Sequence, residues 1–496
     1  MAGNEMTVEA SAAFDASDGT DAGTDPRRWR ALTVCLVAGF MSLLDVSIVN
    51  VALPSIRSAL DATPSDLAWI LSGYALAFGL VLVPAGRLGD ARGRRRMFLA
   101  GLALFTAASA AAGLSPSAWF LAAARLVQGV ASGLLVPQVA GLIQQLFRGE
   151  ERGRAFGRLG SVIMVSTAVG PALGGLIIVL AGSDDAWRWV FYVNVPVAVV
   201  ALVLAVRLVP PDPGTRRGES LDPVGVTLLG LGLLLLLFPL VESERAASRP
   251  IWWLLVPVGA GVLVAFLAWE RSHRRWGKEP LVDLTLWRRR SYAVGVPLAL
   301  LYFAGFTSIF FVLTLYLQTG LGYTALGAGL TTTPFALGGA IAASYGGSLV
   351  SRHGRRLVLA GLALSLLGLV TIDVVVDLVD TYVGIALAVP LLIAGVGSGF
   401  VITPNVTITL SEVPVRGAGS AAGVLQTAQR IGSATGIAAV TAVFFAGLDG
   451  GNWAGALSRG VRVASGFVVV GFVLALIDLR RPAGPIETRA VEPLGG

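Results

Sequence analysis

Asp45 is the residue best placed for chemistry in this chain of 496 residues. It stands fourteen residues into an apolar run, 31–53, about 13 Å from Pro54 at 1.5 Å of helical rise per residue. A carboxylate at that depth in a bilayer costs ~2.5–3.5 kcal/mol on insertion scales, and acids so placed commonly mark ion or substrate pathways. Burial favours the protonated acid until the site opens to water, which suits a proton carrier; the bland alternative is a carboxyl that only bonds a neighbouring helix. Arg125 lies eight residues inward of Ser117, about 12 Å from the same face, so its depth matches that of Asp45. An arginine nearby favours the charged acid and opposes burial.

The rest of the titratable inventory is thin. His273 and His353 both fall in loops between apolar runs, which removes a histidine relay and a histidine metal site. The single cysteine, Cys35, lies inside an apolar segment, so no intrachain disulfide forms. Arg430 is about 21 Å from Arg416 along its helix, with no acid in its own segment, and reads as a packing or gating residue. Asp373 and Asp377, spaced i, i+4, share a face near one helix end and read as a solvated rim.

Helices that cross a bilayer must position these groups. Only 14% of residues are charged and 55% are hydrophobic, a membrane composition, since soluble domains carry about a quarter charged residues. Fourteen runs meet the ~20 apolar residues a span needs, from 31–53 to 461–478. With the N-terminus inside, the inner segments hold 29 Lys and Arg and the outer loops 6, with Arg125 and Arg430 in helices. A bias that alternates at every crossing sets both termini in the cytoplasm. It also explains the basic pI near 10 by topology rather than nucleic-acid binding. Tryptophans at segment ends, Trp119, Trp187, Trp189 and Trp253 among them, read as an interfacial belt. The acidic first 25 residues are not a signal peptide.

The chain repeats itself. Gly347–Arg356 (GSLVSRHGRR) echoes Gly86–Arg96 (GRLGDARGRRR) at an offset of 261, and GVGSG at Gly395–Gly399 echoes GVASG at Gly129–Gly133 at an offset of 266. Matching features are eight segments apart, the arithmetic of two six-helix halves with two helices inserted, and parallel repeats of this kind are a transporter architecture. The expected fold is all-α and integral to the membrane. It comprises a disordered cytoplasmic tail (1–30), a first bundle (31–209), two inserted helices and a loop (210–290), a second bundle (291–479) and a cytoplasmic tail (480–496).

The turn Gly86–Arg96 resembles the loop between helices 2 and 3 of the major facilitator superfamily. Further stretches are similar to its fourteen-helix drug:proton antiporters. They are LDVSIVNVALPSI (Leu44–Ile56), RLVQGVASG (Arg125–Gly133), GPALGG (Gly170–Gly175), WRWVFYVNVP (Trp187–Pro196), PLVDLTL (Pro280–Leu286) and YLQTGLGYTALGAGL (Tyr316–Leu330). The resemblance implies a monomeric multidrug exporter of the bacterial cytoplasmic membrane, driven by the proton gradient without a cofactor and rocking two bundles around a central cavity. It links Arg125 with Asp45 in proton coupling, and makes Gly86, Asp90, Gly93 and Arg94 a cytoplasmic latch. Asp90 and Arg94 are spaced for local pairing. The second copy has Ser351 at the place of Asp90, so the latch is expected on one side only.

Gly170 and Pro171 act by shape, since proline kinks a helix and Gly170-x-x-x-Gly174 permits close contact. Candidate cavity residues are Asn50, Gln128 and the aromatic series Tyr302, Phe303, Phe306 and Phe310, which fits equally as a packing stripe. Beyond Asp45 no acid lies at cavity depth in the first half, so neutral, zwitterionic or monovalent lipophilic substrates are expected. A dedicated exporter of one endogenous metabolite shares every motif. A membrane sensor or lipid-modifying enzyme would need a signalling domain or a convergent catalytic cluster that this sequence lacks.

Overall fold

The computed structural model describes residues 27–182, 185–212, 222–241, 250–276, 278, 280–379, 381–448 and 451–480. Of the expected tail over 1–30, residues 1–26 lie outside the described residues and 27–30 form the start of the first helix; of 480–496 only Arg480 is described. The first half holds α1 (Arg27–Leu60), α2 (Pro64–Arg92), α3 (Arg94–Gly113), α4 (Ala118–Leu146), α5 (Gly149–Ala181) and α6 (Ala186–Leu208). Then come α7 (Pro223–Val241) and α8 (Leu255–Arg275). The second half holds α9 (Arg290–Leu315), α10 (Ala325–His353), α11 (Arg355–Leu378), α12 (Val383–Thr409), α13 (Ala418–Ala446) and α14 (Trp453–Arg480).

Among the described residues twelve helices are long and apolar enough to span a membrane, and the bent α5 makes thirteen. The remaining segment, α13, is a 29-residue helix carrying Gln426, Gln429, Arg430 and several Ser and Thr, which lower its apolar content. Lipid offers no partners to backbone N–H and C=O groups, so each span closes its own hydrogen bonds as helix. Side chains finish the ends: Thr63 and Asp66 form a capping box on α2, and Ser117 and Thr324 cap α4 and α10. The two echoed turns both need glycine, since Gly93 has φ 105° and Gly354 φ 51°.

Packing follows the repeat. In the first half α2 lies on α4, α3 on α4, α1 on α5 and α3 on α6; α10 on α12, α11 on α12, α9 on α13 and α11 on α14 restate those pairs eight helices later. Two reciprocal contacts join the halves, α5 with α10 and α2 with α13. The inserted α7 leans on both α2 and α13, with Leu229, Leu233 and Phe266 of α8 sharing a core with Val83 of α2.

The hydrophobic core is divided unevenly. At the end that carries Arg27, Arg94, Arg355 and Arg480, here the arginine-rich end, one cluster runs through both halves, from Phe98 and Phe147 to Tyr292, Leu410 and Ala421. Toward the other end the first half keeps its own cluster around Ile48, Ile56 and Phe191, and the second half another around Ile309, Ile372 and Val461, which also takes in Met164 of α5. The halves are therefore fused at the arginine-rich end.

Two sequence readings change. Trp187 is not in an interfacial belt: it is fully buried against Phe191, with the Arg188 guanidinium 4.5 Å over its ring, whereas Trp119 and Trp189 are exposed. A break at Val193 turns the start of α6 inward. Neither histidine is in a loop: His273 is in the last turn of α8, buried beside Trp269, because that helix continues past its apolar run to Arg275, and His353 is the last residue of α10.

Candidate functional site

α1 carries Asp45 into the middle of the first bundle, where it is 0% exposed. α4 brings Arg125, 1% exposed, into an ion pair with it. Gln128, one turn along the same face of α4, accepts from the Arg125 Nη1–H at 3.0 Å. Its amide donates to Ser109 at 2.8 Å and to Asp45 Oδ1 at 3.4 Å. Asn194, just past the break in α6, donates to Asp45 Oδ1 at 3.0 Å. Arg125 Nε–H reaches the Ile70 carbonyl at 3.2 Å, and its guanidinium lies 4.2 Å over the ring of Tyr74. Tyr74 in turn donates to Ser132 at 2.7 Å and to the Ser42 carbonyl at 3.1 Å. Side chains of α4 and α6 thus bond the one carboxylate of α1, and α2 and α3 back those side chains.

A buried ion pair survives only when its remaining hydrogen-bonding capacity is met, and this one is met on both sides. In this conformation the carboxylate is closed to water, so a proton reaches Asp45 only after the pair is opened. Gln128 was read as a cavity residue; the structure places it inside this network. Asn194, Tyr74 and Ser109 were not singled out, although each is a polar residue within an apolar run.

The second charged device is at the arginine-rich end. Asp90 of α2 accepts hydrogen bonds from the Gly419 N–H at 3.0 Å, the Ser420 N–H at 2.9 Å and the Ser420 hydroxyl at 3.0 Å, all at the start of α13. A carboxylate there meets unpaired N–H groups and the positive end of the helix dipole. Arg94 pairs with Asp90 at 2.8 Å, donates to the Gly141 carbonyl at 2.7 Å and crosses to the Val415 carbonyl. Gly86 belongs to the same seam, since a Cβ there would overlap the Gly419 carbonyl, and a Cβ on Gly93 would overlap Asp212. On the other seam Gly153 meets Gly347, and Ser161 bonds the Ala340 carbonyl at 2.6 Å.

The echo of this device is built differently. Ser351 turns back to the Ser348 carbonyl, and Arg355, the counterpart of Arg94, bonds Asn405 at 2.8 Å and pairs with Asp478 at 3.2 Å within its own half. Of the two copies, only the first, through Asp90 and Arg94, bridges the halves among the described residues. We expect Asp90→Asn to shift the balance of conformations away from closure at this end by about tenfold or more. It removes charge-assisted bonds, and tenfold corresponds to ~1.4 kcal/mol. Spin-label distances between positions 96 and 411 would broaden to longer values; an unchanged distribution would remove Asp90 from the latch.

The sequence profile described as "Major Facilitator Superfamily" matches residues 35–437. The chain belongs to that family. The "Probable actinorhodin transporter" of Streptomyces coelicolor is 39% identical over 86% of this chain and 75% of its own length. The "Puromycin resistance protein pur8" of Streptomyces alboniger is 36% identical over 85% of this chain and 82% of its own. The crystal structure of the human organic anion transporter MFSD10 superposes with a TM-score of 0.64 over 91% of this chain and all of that one. At 18% identity that likeness concerns the fold alone. This facilitator is therefore a multi-pass membrane protein and a transporter of small molecules, related to antibiotic and multidrug transporters.

Other expected residues of the facilitator fall in distinct places. α5 bends by 45° between Thr167 and Ala172, across Gly170 and Pro171. The Pro171 side chain lies outside the described residues. A Cβ on Gly170 would overlap Ser47, and one on Gly174 would press on Ile48 at 3.0 Å, so the bent helix seats on α1 one turn from Asp45. Asn50 is exposed on α1. The aromatic series turns into the second bundle. Tyr302 is 2% exposed, Phe303, Phe306 and Phe310 pack on the core, and Phe310 meets Phe335 with ring centroids 4.7 Å apart. Asp373 and Asp377 pair with Arg462 of α14 at 3.0 and 3.8 Å.

Proposed function

We propose that this facilitator is a proton-coupled antiporter that exports lipophilic small molecules, antibiotics among them, across the bacterial cytoplasmic membrane, with both termini in the cytoplasm. The observation that supports it most is the Asp45–Arg125 pair: an acid sealed at mid-depth, bonded from two neighbouring helices, with no structural load that an apolar core could not bear. The 29-to-6 bias of Lys and Arg assigns the arginine-rich end to the cytoplasm. The halves are closed there, so this conformation faces outward.

The coupling follows from electrostatics. With Asp45 ionised, the ion pair ties α1 to α4 and favours the arrangement described here. A proton arriving from outside neutralises the carboxylate and frees the guanidinium, which weakens that arrangement relative to the inward-facing one. Proton release inside and substrate binding then reset it. Export results only if proton and substrate prefer opposite facings.

A second reading is a dedicated exporter of one self-made compound, supported by the relative named for actinorhodin alone. Proteoliposomes loaded with a panel of lipophilic antibiotics separate the possibilities. Under an imposed pH gradient the panel should be moved against its concentration gradient, and a protonophore should stop it. Movement of one compound selects the dedicated exporter, and movement unaffected by the protonophore refutes proton coupling.

A further inference from the structure

α13 presents a stripe that the coupling scheme leaves unused. Gly419, Gly423, Gln426, Arg430 and Ser433 recur at spacings of three, four and seven residues, so they share one face. The two glycines meet α2, where a Cβ on either would crowd the Gly86 or Leu82 carbonyl. Beyond them the glycines of α13 turn to α9 instead, Gly432 against Leu300 and Gly436 against Ala304. The polar members of the stripe begin where the close approach to α2 ends. Arg430 sits twelve residues from Ala418, about 18 Å along the helix and so near the bilayer centre.

All three polar side chains carry buried atoms without a hydrogen-bond partner: Gln426 Oε1, Arg430 Nε and Ser433 Oγ. Buried polar groups are nearly always paired, so three orphans on one face call for a cause. The Arg430 guanidinium lies 4.7 Å over the ring of Phe78, which stacks on Tyr74 at 6.2 Å, and the ring of Tyr74 carries Arg125. Two cations therefore flank one pair of rings. Arg125 has Asp45 as its counter-ion. Arg430 has no ion-pair partner among the described residues; of the helices packed on α13, α4, α7 and α9 contain no acidic residue, and Asp478 of α14 is paired with Arg290 and Arg355. Of the acids on α2, Asp66 caps the helix and Asp90 is in the latch. A cation at the bilayer centre without an anion is costly and marks a functional site.

We propose that Arg430 and Ser433 bind the anionic group of the transported molecule, which makes lipophilic organic acids, carboxylates or phenolates, its preferred cargo. The guanidinium fork fits a carboxylate in two-point contact, the Ser433 hydroxyl supplies a further donor, the unpaired Gln426 Oε1 accepts from a hydroxyl or N–H of the same molecule, and Phe78 offers an apolar wall to its body. This rests on reading the chain as an exporter, and it narrows the substrate class expected from the sequence.

The test uses the full chain in nanodiscs and two matched fluorescent probes, anthracene-9-carboxylate and its neutral carboxamide, at pH 7. Wild type should bind the carboxylate at least tenfold tighter than the carboxamide. Arg430→Gln should erase that difference by lowering carboxylate affinity at least tenfold, with its melting temperature in detergent certifying the fold; Arg430→Lys should keep part of it. Equal binding of the two probes by wild type, binding of neither, or a preference that survives Arg430→Gln would overturn the assignment. The readout needs no pH gradient, so failure of concentrative export beside an intact carboxylate preference would count against the antiporter reading alone.

Discussion

Asp45→Asn should reduce gradient-driven efflux to the level of liposomes without protein, while the variant still inserts and folds. Asparagine keeps the size of the side chain and an oxygen that can accept from Asn194 and Gln128, which now bond Asp45 at 3.0 and 3.4 Å. What it lacks is a proton to exchange. Arg125 loses its counter-ion but retains the Gln128 oxygen, the Ile70 carbonyl and the face of Tyr74, so the variant should melt lower without failing to fold. Downhill movement of substrate, which needs no proton, should persist at a reduced rate. Undiminished concentrative efflux would exclude Asp45 from coupling and leave the fold untouched.

The second large effect is on stability, and it is a test of pairing. Arg125→Leu strands Asp45 with Asn194 and Gln128 as its donors among the described residues, in a site closed to bulk solvent. Removing one member of a buried pair typically costs about 3–5 kcal/mol, because the other charge is left uncompensated. Adding Asp45→Asn to that variant removes the stranded charge, so the double variant should be more stable than Arg125→Leu alone. The two losses should fail to add by 1 kcal/mol or more, as expected of residues in direct contact. Melting of the purified single and double variants in detergent measures this. Strict additivity would mean that the two charges do not depend on one another in the folded protein.

Both effects arise because one bundle contains the whole charged network. Asp45, Arg125, Gln128, Asn194, Ser109 and Tyr74 all lie in the first half. At the position 266 residues after Arg125 the second half has Leu391, buried in its own core. The repeat supplies the shape of both halves and the ion chemistry of only one. The latch divides the same way, with Asp90 reaching across to α13 and Arg355 kept at home by Asp478. Arg430 then stands, among the described residues, as the second half's charge nearest the bilayer centre, brought against the rings that back Arg125.

Depth was legible in the sequence. A helical residue advances 1.5 Å along the bilayer normal, so counting from the ends of apolar runs put Asp45 and Arg125 at one level. Apolar length marked the helices, the offset of 261 related the two echoed turns, and glycine at 93 and 354 marked where a positive φ was required. Rotation and neighbours were not legible. Which face of a helix meets which partner depends on close packing through small residues, a property of pairs of segments far apart in the chain. Tertiary structure therefore decided that Asn194 completes the Asp45 site, that Gln128 belongs to it, that Trp187 and the Tyr302–Phe310 series turn inward, and that Arg430 faces the first half without an anion of its own.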